Sequence, residues 1–483
     1  MDTLSKLDFL AVGKNGSYAD DGRCQSNVDH VTNIINHLKN SEINQLTLYF
    51  HGGLVDESSA EASLKRILST LRIQQQPHDH AMGFIWKTGF IETVRDNVWG
   101  IFKTKFGASL LKWAIKTVTK KLLLDSVKSP GSVGLTIEDI ENEWKLAEQH
   151  GTVPFVNYNR VVAQGAKGIT FSEIDEDDSI LLAEVQADIE TYFIENPEAE
   201  NWGKIPDVVT VDAELEELAE DIGGGKKGIV STYKLAKAIV KITARVILRY
   251  LRNSDHGLQA TVVEEICRTY FVSDIGQWVW ASMKEKASAM WEQEGRIGFD
   301  FLDQISRELP ELSINLVGHS AGSICISELL NKKQTQGWRF SVNKVLWLAP
   351  ACTYSLFETA IVSNPKGYNE FRMITMSNDY ELQDSLVNVA PWVYPSSLLY
   401  FISGVLEPKA DFPIAGMARY HAAEPPYSEP MFVSVKQFLS QKGRLVLSKT
   451  EPDAKLGYRS QAIDHSAFNT DTLTLESMAE YIS

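Results

Sequence analysis

One five-residue motif has the composition of a nucleophile site. Residues 318–322 read Gly-His-Ser-Ala-Gly and match the Gly-x-Ser-x-Gly pattern. An apolar run at 312–317 precedes the motif and predicts a strand, and a helix-period segment follows from Ser323. A turn this sharp strains the serine backbone, and small flanking residues leave room for it. We therefore predict that Ser320 is a nucleophile presented at the carboxyl end of a strand; the alternative is an ordinary turn serine.

An acid and a base follow the serine along the chain. Asp379 comes three residues after the predicted strand 372–376, and Asp384 is the alternative acid, with Glu381 between them. His465 comes after the last predicted strand. In a serine hydrolase a histidine takes the serine proton, and an acid orients the imidazole and stabilises its charged form. The order of the three residues along the chain, Ser, Asp, His, resembles that of the α/β-hydrolase superfamily. This resemblance implies a catalytic triad of Ser320, Asp379 and His465, with a purely structural His465 as the alternative.

These residues and their order resemble the α/β-hydrolase superfamily, in its lipase and esterase branch. The resemblance covers about residues 1–88 and 291–483. It implies an oxyanion hole at residues 50–54, which read Phe-His-Gly-Gly-Leu, because the family's His-Gly turn supplies a backbone N–H there. The matching positions are Gly53 or Leu54, with the N–H of Ala321 as the second donor. The chemistry so implied needs no metal and no cofactor, and we expect neither.

The pattern of apolar residues predicts the elements that hold these side chains. Short apolar runs recur along the chain, and most are continuous rather than alternating, which is typical of strands buried on both faces of a parallel sheet. Helix-period segments separate the runs. The expected fold class is therefore α/β: an α/β-hydrolase-type, mainly parallel sheet flanked by helices. The predicted strands are 7–12, 45–50, 82–86, 313–317, 344–348, 372–376 and 444–447.

The alternation of strands and helices breaks at about residues 89–290, which read mostly as helix. We predict a catalytic domain made of 1–88 and 291–483, and a large helical cap, 89–290, inserted into it. Charge within the cap is uneven: residues 171–221 hold 18 acidic residues and one lysine, whereas 101–128 and 226–252 have net charges of +6 and +8. The whole chain carries −16, which argues against a protein that binds nucleic acid by neutralising phosphates.

Basic residues in both cationic segments recur at helical spacing, opposite apolar residues. Such helices, within 101–128 and 226–252, could make peripheral contact with an anionic membrane. The alternative, which we favour, is that the neighbouring acidic segment neutralises them inside the cap. The two predicted basic stripes are Lys105, Lys112, Lys116 and Lys120, and Lys234, Lys237, Lys241, Arg245, Arg249 and Arg252.

Other sequence features bear on compartment and binding. The four cysteines are far apart, so neither a disulfide framework nor a zinc cluster is expected, and a reducing compartment is predicted. The amino terminus lacks the apolar run of a signal peptide.

Two segments could be taken for a membrane span or a metal site. Residues 385–406 are uncharged but contain two prolines, which argues against a spanning helix. Their aromatic side chains are expected either to line an acyl pocket or to pack in the core. Residues 78–80, His-Asp-His, are predicted to form a polar loop rather than a metal site. The predicted location is cytoplasmic, with peripheral membrane contact left open.

The expected function is a serine hydrolase that cleaves carboxylic esters, with a lipase or phospholipase as the favoured subclass. A serine peptidase or thioesterase is the runner-up, because acyl transfer to serine serves amides and thioesters as well as esters. A binding or signalling module without turnover is the alternative from a different class, since a fold does not by itself fix a function.

Overall fold

A computed structural model describes residues 4–53, 56–86, 104–124, 137–152, 227–270, 277–386 and 392–483, together with 102, 154–155 and 187. Its central element is a seven-stranded sheet in which every strand pair is parallel, in the order β1-β3-β2-β4-β5-β6-β7. The seven predicted strands are confirmed, and so is the α/β class. The strands are β1 (Phe9–Val12), β2 (Gln45–Phe50), β3 (Asp79–Trp86), β4 (Ser313–His319), β5 (Ser341–Leu348), β6 (Glu370–Met376) and β7 (Leu445–Ser448).

Helices connect and cover the strands. Several begin at a polar residue whose side chain accepts a backbone N–H of the first turn, as Asn27, Asp56 and Asp471 do, which satisfies donors that the helix leaves open. The α-helices of the described residues are α1 (Val28–Asn40), α2 (Glu57–Gln74), α3 (Lys105–Leu124), α4 (Ile137–His150), α5 (Lys227–Leu251), α6 (Leu258–Tyr270), α7 (Gln277–Ala289), α8 (Ile297–Glu308), α9 (Gly322–Gln336), α10 (Tyr354–Phe357), α11 (Asn378–Glu381), α12 (Leu398–Phe401), α13 (Pro430–Leu439) and α14 (Thr472–Ile482). Short 3₁₀ or π turns lie at Lys14–Gly16, Glu358–Val362, Ile402–Leu406, Ala418–Tyr420 and His465–Asn469.

The order of the strands fixes where a site can form. Strand β2 lies between β3 and β4, and Phe50 at its end is paired with Gly318 of β4. The chain leaves β2 towards β3 on one side and leaves β4 towards β5 on the other. Connections that diverge in this way open a crevice at the carboxyl ends of the strands, where open α/β sheets bind their ligands. The turns that follow Phe50 and His319 therefore meet at this crevice.

The chain divides into two compact units. The sheet unit comprises Met1–Ile91, Val279–Glu381 and Pro413–Ser483, and the helical unit comprises Glu92–Trp278 and Leu382–Phe412. The sequence-based division placed 279–290 in the cap and 382–412 in the catalytic domain, and the structure groups both segments the other way. The second difference lies in the uncharged stretch 385–406, whose apolar and aromatic side chains Tyr394, Leu399 and Tyr400 are buried within the helical unit. The acidic segment 171–221 lies outside the described residues, apart from Ala187.

A buried network of charged side chains lies inside the helical unit. Arg249 of α5 is within 2.7 Å of Glu264 and 3.2 Å of Glu265, both on α6. The ring of His256 lies between the carboxylates of Glu264 and Asp411, at 2.9 and 3.1 Å. Arg249 was predicted on a basic stripe neutralised by the acidic segment 171–221, but the structure pairs it with Glu264 and Glu265 instead. It faces inward because the carboxylates of α6 stabilise its charge there.

The other basic residues of the two stripes are described only in part. Lys112 and Arg252 are exposed, and Lys116, Lys241 and Arg245 are half-buried. The side chains of Lys105, Lys120, Lys234 and Lys237 lie outside the described residues. No helix in the described part of the chain is both long and apolar enough to cross a bilayer.

Candidate active site

Ser320 occupies the turn between β4 and α9. Its φ of +52° lies in the left-handed region, which costs a non-glycine residue on the order of 1 kcal/mol. Hydrogen bonds hold it there: its N–H donates to the carbonyl of Leu348 at 2.9 Å, and its carbonyl accepts from the N–H of Ala351 at 3.0 Å and the hydroxyl of Ser323 at 2.7 Å. The backbone is thus fixed on both sides, and the hydroxyl is carried at the strand's carboxyl end.

The two glycines of the motif are required by close backbone approach. A Cβ on Gly318 would lie 2.9 Å from the carbonyl carbon of Gly322. A Cβ on Gly322 would overlap the carbonyl oxygen of Phe50, which is backbone and has no freedom to move aside. Absence of side chains at 318 and 322 therefore lets the helix start directly beneath the end of β2.

His465, which follows β7 in the chain, lies within hydrogen-bond distance of the serine. Its Nε2 lies 2.9 Å from Oγ of Ser320, the distance at which the hydroxyl donates to a neutral imidazole. His465 opens a 3₁₀ turn whose preceding residue, Asp464, accepts the N–H of Ala467 at 2.9 Å. Burial lowers the pKa of His465 well below its usual 6.5, and the neighbouring His319 lowers it further. The imidazole is therefore neutral at pH 7 and able to accept a proton.

The predicted oxyanion turn lies beside the residue that follows the serine. A Cβ placed on Gly53 would come within 2.7 Å of Cβ of Ala321, so the two backbones are in close contact. The hydrogen bonds among the described residues use neither the N–H of Gly53 nor that of Ala321. Both amides therefore have a donor that a developing oxyanion could use. Leu54, the other predicted donor, lies outside the described residues.

His51 fixes this turn. Its Nδ1–H donates to the carbonyl of Gly52 at 2.6 Å, and its Nε2 accepts the backbone N–H of Trp86 at 3.1 Å. This pattern requires a neutral ring with its proton on Nδ1. Burial is the main reason that the pKa of His51 is lowered to about 4, so the tautomer persists at neutral pH.

The structure does not join the predicted acid to the histidine. The Asp379 side chain is exposed, and no hydrogen bond or ion pair connects it to His465 within the described part of the chain. Glu381, two residues on, is fully buried. Asp384 is also buried, and its Oδ1 accepts the N–H of Ser385 at 2.6 Å. Ser320 and His465 are brought together, whereas the third member of the triad stays a prediction.

Residues 78–80 differ from their predicted form. Asp79 and His80 begin β3 and pair with Gln45 and Leu46 of β2, because the parallel ladder extends to the half-buried polar end of the strand. Nε2 of His80 donates to the carbonyl of Leu7 at 2.9 Å. Over the described residues, no group of three His, Cys, Asp or Glu side chains is arranged to hold a metal ion.

Comparison of the chain with protein-family models, curated proteins and solved structures found no significant match.

Two side chains at the site were missed by the sequence reasoning. His319 precedes the nucleophile, and its Nε2 lies 3.2 Å from the carbonyl oxygen of His465. Met283 of α7 lies against Gly53, where its thioether fills the space that a Cβ would need. The position of His319 within the motif was the only available signal for it. The sequence held no signal for Met283, because α7 and the oxyanion turn are more than 200 residues apart in the chain.

Proposed function

We propose that this protein is a serine hydrolase of the α/β-hydrolase type that cleaves carboxylic esters through an acyl-enzyme on Ser320. The observation that carries the proposal is the pair formed by Ser320 Oγ and His465 Nε2, with the serine on a left-handed strand-to-helix turn. A nucleophile, a neutral base within hydrogen-bond reach and two available amide donors together support acyl transfer.

In the first half of the reaction, Oγ of Ser320 attacks the ester carbonyl carbon while Nε2 of His465 takes the hydroxyl proton. The carbonyl oxygen becomes an oxyanion, which the N–H groups of Gly53 and Ala321 stabilise. Collapse of the tetrahedral intermediate breaks the carbon–oxygen bond to the alcohol. His465 returns the proton to the departing alkoxide, which leaves the acyl group on Ser320.

In the second half, water replaces the alcohol. His465 takes a proton from the water as its oxygen attacks the acyl carbon, and the same two amides hold the new oxyanion. Collapse releases the carboxylic acid and returns the proton to Ser320. The low pKa of His465 keeps the imidazole unprotonated between these steps at neutral pH. The sequence predicts Asp379 or Asp384 as the acid that stabilises the imidazolium, and the exposed Asp379 makes no bond to His465 within the described residues.

We propose a lipase-like or phospholipase-like preference within this class on the strength of the sequence resemblance. The uncharged stretch gives it less support than expected, because its aromatic residues have structural contacts of their own. The hydroxyl of Tyr394 donates to Glu264 at 2.6 Å, and the ring of Tyr400 packs edge-on against His256 at 4.6 Å. Hydrolysis rates on p-nitrophenyl esters of graded chain length test the preference: a maximum at long chains supports it, and one at acetate or butyrate opposes it.

A fluorophosphonate probe tests the enzyme proposal directly. Wild type should be labelled, and Ser320→Ala should not. Ser327→Ala is the matched control, since Ser327 is a buried serine one turn into α9 whose hydroxyl donates to the carbonyl of Ser323. That variant should label as wild type does. Absence of labelling in folded wild type would refute the enzyme and favour a binding module on the same fold.

A further inference from the structure

The ring of His319 contacts two parts of the site, the main chain of His465 and the oxyanion turn at Gly52. Its Nε2 lies 3.2 Å from the carbonyl oxygen of His465, and the two ring centroids are 5.3 Å apart. Its Nδ1 is 3.3 Å from the place where a Cβ on Gly52 would stand, so the ring also abuts the oxyanion turn. One side chain thus lies between the backbone of the base and the turn that offers an oxyanion donor.

The hydrogen bond fixes the protonation of this ring. A carbonyl oxygen only accepts, so Nε2 of His319 carries the proton and Nδ1 does not. His319 is 5% exposed, and burial lowers its pKa to about 4. The titratable groups around it are the rings of His465 and His51, which are themselves buried. His319 is therefore a neutral hydrogen-bond donor at neutral pH and gains a charge only in acid.

We propose that His319 is a positioning residue: its Nε2–H holds the main chain of His465, and its ring supports the Gly52 turn, so that base, nucleophile and oxyanion donors stay aligned. This inference rests on the proposed serine-hydrolase function. The backbone of Ser320 is already fixed by hydrogen bonds to Leu348 and Ala351, whereas His465 lies on a short turn after β7. The hydrogen bond from His319 to the His465 carbonyl directly connects the strand that carries the nucleophile to that turn.

Two amide substitutions distinguish the role of the Nε2–H donor of His319 from the role of its ring. His319→Gln places a side-chain N–H close to the position of Nε2, and His319→Asn places its amide near Nδ1, too short to reach His465. Both remove the ionisable ring. A misplacement of about 1 Å costs on the order of 100-fold in rate. We therefore expect the fluorophosphonate labelling rate to fall roughly 10- to 100-fold in His319→Asn and to recover most of that loss in His319→Gln.

The pH dependence of labelling gives a second readout that lost stability would not produce. Since His319 contributes to lowering the pKa of His465, its removal should move the acid limb of the labelling rate to higher pH in both variants. His80→Asn is the matched control. His80 has the same kind of bond, from Nε2 to the Leu7 carbonyl, and a neighbouring ring, His37, at 5.2 Å, but it lies at the amino end of β3. This variant should leave both the rate and the acid limb unchanged.

The possible outcomes test the positioning role of His319 separately from the proposed serine-hydrolase function. If wild type is labelled at Ser320 and folded His319→Asn is labelled at the same rate with the same acid limb, positioning by His319 is refuted and the hydrolase proposal stands. Equal losses in His319→Asn and His319→Gln, without a shift of the acid limb, would also refute it in favour of a packing role. If folded wild type is not labelled, both the function and the inference fail.

Discussion

Oγ of Ser320 lies 2.9 Å from Nε2 of His465, although 145 residues separate the two in the chain. Ser320 follows β4, and His465 follows β7, which lies three strands away at the edge of the sheet. The segment after β7 must therefore return across the carboxyl edge. Polar contacts hold that return: the hydroxyl of Ser460 donates to that of Ser448 at 3.0 Å, and the N–H of Gln461 donates to Asp471 at 2.9 Å.

The low pKa of His465 predicts where activity is lost in acid. Only the neutral imidazole accepts the serine proton, so the rate falls as pH drops through the pKa of His465. Burial, and then His319, hold that pKa well below 6.5. We expect kcat/KM on a soluble ester to be constant down to pH 6.5 and to decline only below it. An acid limb at or above pH 6.5 would contradict the buried, neutral base.

A control is needed because the lowered pKa of His465 also affects the stability of the fold. Below pH 6.5 the unfolded chain takes up a proton at this histidine more readily than the folded chain does, so stability also decreases with falling pH. Circular dichroism at each pH separates the two effects. The activity loss counts as titration of His465 only where the folded fraction is unchanged.

Gly53 predicts a rescue experiment. In Gly53→Ala the new Cβ would overlap the thioether of Met283 and lie 2.7 Å from Cβ of Ala321, so the oxyanion turn must shift. Loss of one oxyanion donor costs on the order of 100-fold in kcat. Met283→Ala should restore part of that loss in the double variant, because the larger obstruction is a flexible side chain. Gly53→Ala with wild-type kcat would exclude this amide from the oxyanion hole.

The exposed position of Asp379 predicts a small effect of its removal. Asp379→Asn should lower kcat less than tenfold, because its carboxylate is solvated and makes no bond to His465 within the described residues. Loss of a triad acid, by contrast, costs on the order of 10,000-fold. Asp384→Asn, measured in parallel, assigns the acid to Asp384 if its loss is the larger. Equal small losses would exclude both sequence-predicted acids.

The features that the sequence predicted correctly are those that depend on local residue patterns. Continuous apolar runs located all seven strands, and the small residues around Ser320 indicated the strand-to-helix turn. Contacts between distant segments were not predictable in this way. Nothing in the chain near Met283 indicates that its thioether packs against Gly53. Arg249 matched a basic stripe at helical spacing, yet its partners come from α6, and a charge pattern on one helix does not identify the helix that packs against it.

The burial of Arg249 also bears on the membrane hypothesis. With this residue inside, the second stripe retains only Lys241, Arg245 and Arg252 among the described side chains. In the first stripe, Lys112 lies over the ring of Trp144 at 5.7 Å. We expect the protein not to float with phosphatidylserine vesicles at physiological salt, since each accessible basic residue contributes only about 1 kcal/mol. Flotation that is abolished by Lys112→Glu and Lys241→Glu would contradict this expectation.

The buried network of the helical unit predicts a stability loss that depends on pH. Burial alone would raise the pKa of Glu264, but His256 and Arg249 outweigh it and the pKa is lowered. The carboxylate therefore stabilises the fold above its unfolded pKa of 4.5, and this contribution is lost as pH falls through the lower folded value. Glu264→Gln should cost about 3–5 kcal/mol at pH 7, because Arg249 keeps its buried charge without this partner.

Hydrogen exchange of α6 peptides measures this loss locally, which matters because the chain has two units and need not unfold in one step. Asp303→Asn is the control: its partner Arg307 lies at 2.9 Å, but that side chain is 68% exposed, so the cost should be under about 1 kcal/mol. We expect faster α6 exchange in Glu264→Gln at pH 7, with the difference from wild type shrinking in acid as Glu264 is protonated. Unchanged α6 exchange at pH 7 would show that the carboxylate contributes no net stability, because the cost of desolvating it equals what its ion pairs supply.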